Sequence, residues 1–168
     1  MKVLFVIGYQ KSHFSPDDWL INGSGGSEYC VMKLSEHMST MGHDITLTGD
    51  VVSGTYNDVT YSHYDDLTHN THYDAVIATN YIHYLDELDS KNISFDKSYF
   101  WIHNNEFYPW WNGNSYENEG RTELHNSRIT RFIAVSEYSK NILLDKYPEM
   151  ESRIDVIPNA IDPSDWEV

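Results

Sequence analysis

The stretch Val3-Leu4-Phe5-Val6-Ile7-Gly8, near the start of the sequence, is a continuous apolar run that ends in a glycine. Such a run is typical of a parallel strand buried on both faces, so it predicts a central strand of a sheet. The glycine-rich stretch Ser24-Gly25-Gly26-Ser27-Glu28 follows, and Gly42 marks the end of a predicted helix after it. The residues at helical spacing in between are Val31, Leu34, Met38 and Met41. Strand, turn and helix in this order predict the first unit of an α/β fold.

Strands and helices alternate along the rest of the chain. Short apolar runs predict further strands over residues 45–48, 59–61, 75–78, 99–102, 132–135 and 154–157. We expect helices over Tyr81–Leu88 and Glu137–Lys146, the second with Ser136 as its N-cap and Pro148 at its end. The longest loop is expected over Tyr108–Glu119. The alternation predicts a Rossmann-like, doubly wound parallel sheet.

The glycine turn is a candidate site for a phosphate group. The first N–H groups of a helix lack intrahelical partners, and the macrodipole places partial positive charge at the same end. Without side chains at Gly25 and Gly26, an anion could reach these amides, with Ser27 beside it. The alternative is an ordinary helix start in which the glycines serve only the turn.

Composition narrows the classes of partner. The formal net charge of −15 argues against nucleic acid and anionic membranes as partners, since both require clustered basic residues. The one cysteine, Cys30, rules out a disulfide framework, and the apolar start of the chain is too short to span a bilayer. With 168 residues, the chain is expected to form one domain in the cytoplasm.

Two other classes of site fit the sequence poorly. His63, His69 and His72 match no standard spacing of metal ligands, so a solvated loop is expected there and no metal. Asp50 ends a predicted strand, where the acidic residue of a dinucleotide site would lie. The pattern G-x-G-x-x-G is not present, however, which disfavours a nicotinamide enzyme.

Five short motifs together resemble the N-terminal half of a retaining GT-B glycosyltransferase of family 4. They are Gly25-Gly26-Ser27-Glu28, Met41-Gly42-His43-Asp44-Ile45-Thr46-Leu47, Trp101-Ile102-His103-Asn104, Ala134-Val135-Ser136-Glu137-Tyr138-Ser139 and Val156-Ile157-Pro158-Asn159-Ala160-Ile161-Asp162. The resemblance implies a Rossmann-like domain over residues 1–157 and the start of an interdomain hinge over 158–168. It also implies a second domain, in cis or in trans, that holds most of the nucleotide-sugar donor.

The resemblance further implies roles for individual residues. The donor diphosphate would lie at Gly25, Gly26 and Ser27, and His103 would lie near the transferred sugar as the catalytic residue. Retention implies attack on the face that the leaving group departs from, with the donor phosphate helping to deprotonate the acceptor. Neither a cofactor nor a metal is expected.

The acceptor, a glycan or another hydroxyl compound, would be received by this half. The candidate acceptor-binding residues are Asn80, Asn104, Glu106, Trp110 and Trp111. The adjacent tryptophans could stack on a sugar, seal the loop, contact the second domain or anchor the chain at a membrane interface. The alternative function is a noncatalytic module that binds glycan or protein through the same edge of the sheet.

Overall fold

A computed structural model of the protein describes residues 1–7, 15–17, 23, 25–79, 84–103 and 127–161. The strands in these ranges are β1 (Lys2–Val6), β2 (Asp44–Gly49), β3 (Gly54–Tyr56), β4 (Val59–His63), β5 (His72–Thr79), β6 (Ser94–Ile102), β7 (Arg131–Ala134) and β8 (Ile154–Val156). The α-helices are α1 (Gly26–Thr40), α2 (Tyr84–Ser90) and α3 (Glu137–Lys146). Two short 3₁₀ helices are η1 (Tyr64–Asp66) and η2 (Pro148–Arg153).

The described strands form one sheet with the order β3-β4-β2-β1-β5-β6-β7-β8. Every neighbouring pair is parallel except β3 and β4. The chain builds outward from β1 through β2 to one side and then continues from β5 on the other side. Ligands of doubly wound sheets bind beyond the carboxyl ends of the strands near such a reversal. The predicted Rossmann-like α/β fold is therefore confirmed.

The position of β1 explains its uninterrupted apolar sequence. Val3 and Phe5 belong to the core that includes Val31 of α1, whereas Leu4 and Val6 belong to the core that includes residues of α2 and α3. These four strand residues have no exposed surface. Because both faces of β1 are covered, no polar residue alternates with the apolar ones.

The ends of the helices follow local signals in the sequence. Gly42 adopts a φ of +85° directly after α1, and its N–H group donates to the carbonyl of Ser39 over 2.8 Å. At the start of α3, the Ser136 hydroxyl accepts a hydrogen bond of 3.0 Å from the N–H group of Ser139. The N-cap predicted at Ser136 is thus confirmed.

Met41 and the hairpin of β3 and β4 are among the details that differ from the sequence prediction. Met41 lies beyond the end of α1 and is 73% exposed, so its assignment to the apolar face of the helix was wrong. The hairpin of β3 and β4 was not predicted in full, because only its second strand carries an apolar run. Its turn residues Asn57 and Asp58 have φ angles of 49° and 60°, the left-handed conformation that tight hairpins favour.

Several predictions concern residues outside the described ranges. The start of the helix expected from Tyr81 and the loop expected over Tyr108–Glu119 are among them. The division into a domain over residues 1–157 and a hinge over 158–168 also stays a prediction. Within the described residues, no helix combines the length and apolar character that crossing a bilayer requires.

Candidate active site

The candidate site lies at the carboxyl edge of the sheet, around His103. This residue follows β6 directly, so the strand delivers its side chain to the edge where α1 also begins after β1. The ring of His103 lies against the indole of Trp101, with ring centres 4.5 Å apart and planes inclined by 44°. Trp101 is nearly fully buried, so the histidine has a rigid apolar support on one side.

Burial determines the charge of His103. Desolvation lowers its pKa from the ordinary 6.5 to about 4, and the carboxylate of Glu28 opposes that shift. The imidazole is therefore neutral at physiological pH, with one ring nitrogen as donor and the other as acceptor. The Nε2 atom is buried and has no hydrogen-bond partner among the described residues. A buried polar atom without a partner costs about 1–3 kcal/mol, so an oxygen-bearing ligand would gain by pairing with it.

The electrostatic effect of Glu28 also shows that α1 and His103 are neighbours. Glu28 lies in the first turn of α1, three residues after the N-cap Gly25. Its side chain folds back toward the start of the helix, where its Oε2 atom accepts a hydrogen bond of 3.0 Å from the Ser27 hydroxyl. The start of α1, where the glycine turn lies, and His103 are thus near each other at one edge of the sheet.

The two glycines of the turn have different surroundings. A Cβ atom added at Gly25 would lie 2.1 Å from Oε2 of Glu28, so the absence of a side chain there makes room for this carboxylate. A Cβ atom added at Gly26 would meet no atom within 4 Å. Both glycines are exposed. Within the described residues, an approaching anion therefore has open space at Gly26, while the side at Gly25 is occupied by Glu28.

A third segment, which follows the edge strand β8, also reaches His103. Asn159 follows β8, and its Nδ2 atom lies 3.4 Å from Nδ1 of His103. The sequence did not predict that Glu28 or Asn159 would be a neighbour of this histidine. Glu28 carries a weak signal, because glutamate three residues after an N-cap often folds back onto the helix start. Asn159 carries none, because its contact depends on the path of the chain after β8.

The predicted acceptor-binding residues cannot be placed on this framework. Asn80, Asn104, Glu106, Trp110 and Trp111 all lie outside the described residues. Of the residues predicted to form the site, the described ranges contain Gly25, Gly26, Ser27 and His103. Their assignment to the donor and to catalysis stays a prediction.

Two of the other histidines discussed from the sequence, His63 and His72, lie at opposite ends of the strands. His63 ends β4, and its ring nitrogens lie 3.6 Å from carboxylate oxygens of Asp50 and Asp65. His72 begins β5 at the opposite edge of the sheet, where Nε2 lies 3.5 Å from Asp96. His72, Asp74 and Asp96 could offer ligand atoms within 4.8 Å of one another. Asp74 already accepts a hydrogen bond of 2.6 Å from the main chain of Lys2.

Comparison with known proteins addresses the family directly. The sequence model of Glycosyltransferase Family 4 matches residues 67–165, which is more than half of the chain. The comparison with curated proteins finds no match. The matched region includes β5 to β8, His103 and Asn159, whereas the glycine turn at Gly25 and Gly26 lies before it. Together with the Rossmann-like sheet, this match shows that the chain belongs to glycosyltransferase family 4.

Proposed function

We propose that this protein forms the acceptor-side domain of a glycosyltransferase that moves a sugar, with retention, from a nucleotide-sugar to a hydroxyl group of a glycan or similar acceptor. The main support for this proposal is that three elements meet at His103 in a chain of this family. These elements are the end of β6, the start of α1 and the segment after β8. A neutral, half-buried imidazole beside a helix N-terminus suits a neutral sugar attached to an anionic phosphate.

The donor diphosphate would contact the first turn of α1. The N–H groups of Gly26 and Ser27 lie among the orphan donors of this helix, and the positive end of the macrodipole is located there. The overall charge of −15 repels an anion, so binding needs a local source of positive potential. Because Glu28 covers the side at Gly25, we expect the phosphate to approach at Gly26.

In the proposed reaction, the acceptor oxygen attacks the anomeric carbon from the face that the phosphate leaves. The bond between the anomeric carbon and the phosphate oxygen breaks, and the acceptor proton passes to the departing phosphate. His103 would hold the transferred sugar through its buried Nε2 atom. The charge on the leaving group would be met by main-chain amides and by basic residues of a second domain, in cis or in trans, without a metal or cofactor.

The acceptor would lie beside this sugar. Residues Asn80, Asn104 and Glu106 are proposed to hydrogen-bond its hydroxyl groups, and Trp110 and Trp111 to stack on its rings. For Asn80 and for Asn104 to Trp111, this proposal rests on their sequence positions after β5 and β6. These positions would place them at the edge that carries His103.

The proposal can be tested by titrating ¹⁵N-labelled protein with uridine, guanosine and adenosine diphosphates and observing the amide resonances. We expect the signals of Gly26, Ser27 and His103 to shift with at least one diphosphate, whereas the matching nucleoside leaves them unchanged. Gly26→Val should weaken this binding about tenfold, the equivalent of one lost hydrogen bond to a charged group. The melting temperature of this variant should stay unchanged, because the added Cβ meets no atom within 4 Å.

Thr40→Val is the matched control, since it introduces the same side chain at an exposed position at the opposite end of α1. Diphosphate binding by this variant should persist. If no nucleoside diphosphate perturbs these amides in the folded protein, or if both variants bind equally poorly, the proposed donor site is wrong. Binding of free glycans in the absence of any response to nucleotides would favour a noncatalytic module instead.

A further inference from the structure

The contact between Asn159 and His103 joins parts of the chain that the sheet keeps apart. Strand β7 lies between β6 and β8, so the ends of those two strands are separated by about 10 Å, twice the spacing of neighbouring strands. The Nδ2 atom of Asn159 nevertheless lies 3.4 Å from Nδ1 of His103. The chain after β8 must therefore cross the end of β7 to bring this amide to the imidazole.

The crossing is fixed by local structure. The N–H group of Ile157 donates a hydrogen bond of 3.0 Å to the carbonyl of Ala134, which extends the pairing of β8 with β7 by one residue. Pro158 follows, and its ring restricts φ immediately before Asn159. The amide of Asn159 is thus carried on a short, restrained segment rather than on a long loop.

An amide nitrogen can only donate, which determines what Nδ1 of His103 must do. To receive a hydrogen bond from Asn159, Nδ1 must be the unprotonated nitrogen of a neutral ring. The single ring proton then resides on Nε2, the buried atom that has no partner among the described residues. This combination presents an N–H donor at the point where the proposed function requires contact with the sugar.

We propose that Asn159 is a positioning residue that fixes the tautomer of His103 with the proton on Nε2, so that the histidine donates a hydrogen bond to an oxygen of the bound sugar. The assignment of a sugar oxygen as the acceptor rests on the proposed function, whereas the assignment of the tautomer does not. Burial supports the neutral ring, since it lowers the pKa of His103 to about 4. The carboxylate of Glu28 on α1 opposes this shift, and the neutral amide of Asn159 adds no charge of its own.

The tautomer can be read from the two ring nitrogens by long-range ¹H–¹⁵N correlation spectra of protein labelled at histidine. The spectrum of His103→Gln identifies the resonances that belong to this residue. In the unaltered protein at neutral pH, we expect Nε2 of His103 to be protonated and Nδ1 unprotonated. Protonated Nδ1 would overturn the inference, because Asn159 would then present its oxygen to the ring.

Variants at position 159 test whether the amide is the cause. Asn159→Leu should lower the fraction of rings protonated on Nε2 toward that of a free neutral imidazole, because the hydrogen bond that favours an unprotonated Nδ1 is then absent. Asn159→Asp should move the proton to Nδ1, since a carboxylate can only accept, and should raise the pKa of His103. Asn141→Asp makes the same charge change on the exposed surface of α3 and should leave the tautomer as it was. An unchanged tautomer in Asn159→Leu would contradict the proposal.

Activity separates this inference from the proposed function. In an active preparation, Asn159→Leu should lower kcat about fivefold, the equivalent of one ordinary hydrogen bond, with little change in the donor KM and in melting temperature. If the tautomer is as expected but neither His103→Ala nor Asn159→Leu impairs transfer, the catalytic assignment fails and the structural inference stands. If diphosphates bind at Gly26 but Nδ1 is protonated, the inference fails and the donor site stands.

Discussion

His103 and His72 lie on neighbouring strands at opposite edges of one sheet, and each has a carboxylate close by. At the amino edge, His72 faces Asp96 over 3.5 Å, and the two side chains are 54% and 66% exposed. At the carboxyl edge, His103 is packed against Trp101, and its Nε2 atom is buried. The two histidines therefore differ in burial rather than in the kind of neighbour.

This difference decides what each histidine can do. Water competes for the charges at His72 and Asp96, so their ion pair gains little even when the ring is protonated. His103 is half-buried with its Nε2 atom fully buried, so a neutral ring is favoured, and a hydrogen bond from Nε2 to a ligand is worth more than it would be in water. A carboxylate beside a histidine is thus a poor guide to function unless burial accompanies it.

The largest expected effect comes from removing the side chain of His103, with removal of His72 as the comparison. His103→Ala should lower the turnover of an active preparation by about a hundredfold or more, the usual loss for a positioned hydrogen-bond donor in an active site. His72→Ala is the matched control and should keep turnover within about twofold, because it lies at the other edge of the sheet. A panel of nucleotide-sugars and acceptors, assayed for product by mass spectrometry, provides the measurement.

Melting temperatures of the same two variants show whether His103 has a structural role instead. If His103→Ala loses thermal stability in proportion to its loss of activity, the histidine supports the fold and is not a catalytic residue. If both alanine variants retain full turnover, the contrast between the two edges has no functional meaning.

The elements that sequence could predict are those specified by local signals. The buried strand at Val3–Ile7 was recognisable because a run without polar residues fits only a position covered on both faces. Ser136 was recognisable as an N-cap because its partner, Ser139, lies one helical turn away. Met41 was misplaced because it continues the apolar spacing of α1. The helix ends at Thr40, one residue before Met41, and Gly42 follows with a positive φ.

The site was only partly predictable, because its contacts depend on how distant elements meet. The position of His103 after β6 placed it at the carboxyl edge from sequence alone. The proximity of His103 to Glu28 depends on the sheet order, in which only β5 separates β1 from β6. Its contact with Asn159 requires the chain after β8 to cross the end of β7, which no local pattern encodes.

A smaller effect is expected in the dependence of stability on pH. The pKa of His103 in the folded protein is about 4, below the ordinary 6.5 expected of the unfolded chain. Between these values the unfolded chain binds more protons, so the free energy of unfolding falls as the pH falls through this window. Replacing His103 with glutamine, which cannot be protonated there, should reduce the drop in melting temperature between about pH 7 and about pH 4.5.

Replacing His72 with glutamine should leave this acid-induced loss in place, because His103 still titrates in that variant. Thermal unfolding followed by circular dichroism at several pH values provides the comparison. An equal acid response in the unaltered protein and in His103→Gln would mean that His103 is not buried as the structure places it.

The smallest effect is expected at the amino edge, where His72, Asp74 and Asp96 could offer ligand atoms to a cation. Asp74 is already bonded to the main chain of Lys2, and the remaining pair is largely exposed, which leaves fewer than the three or four ligands that zinc usually takes. We therefore expect Asp96→Asn, zinc and a chelator each to shift the melting temperature by less than about 2 °C. His37→Ala, which removes an exposed histidine of α1, controls for weak binding of zinc to any surface imidazole. A rise of several degrees with zinc that is lost in His72→Ala but kept in His37→Ala would reverse the comparison, because the exposed edge would then hold a ligand of its own.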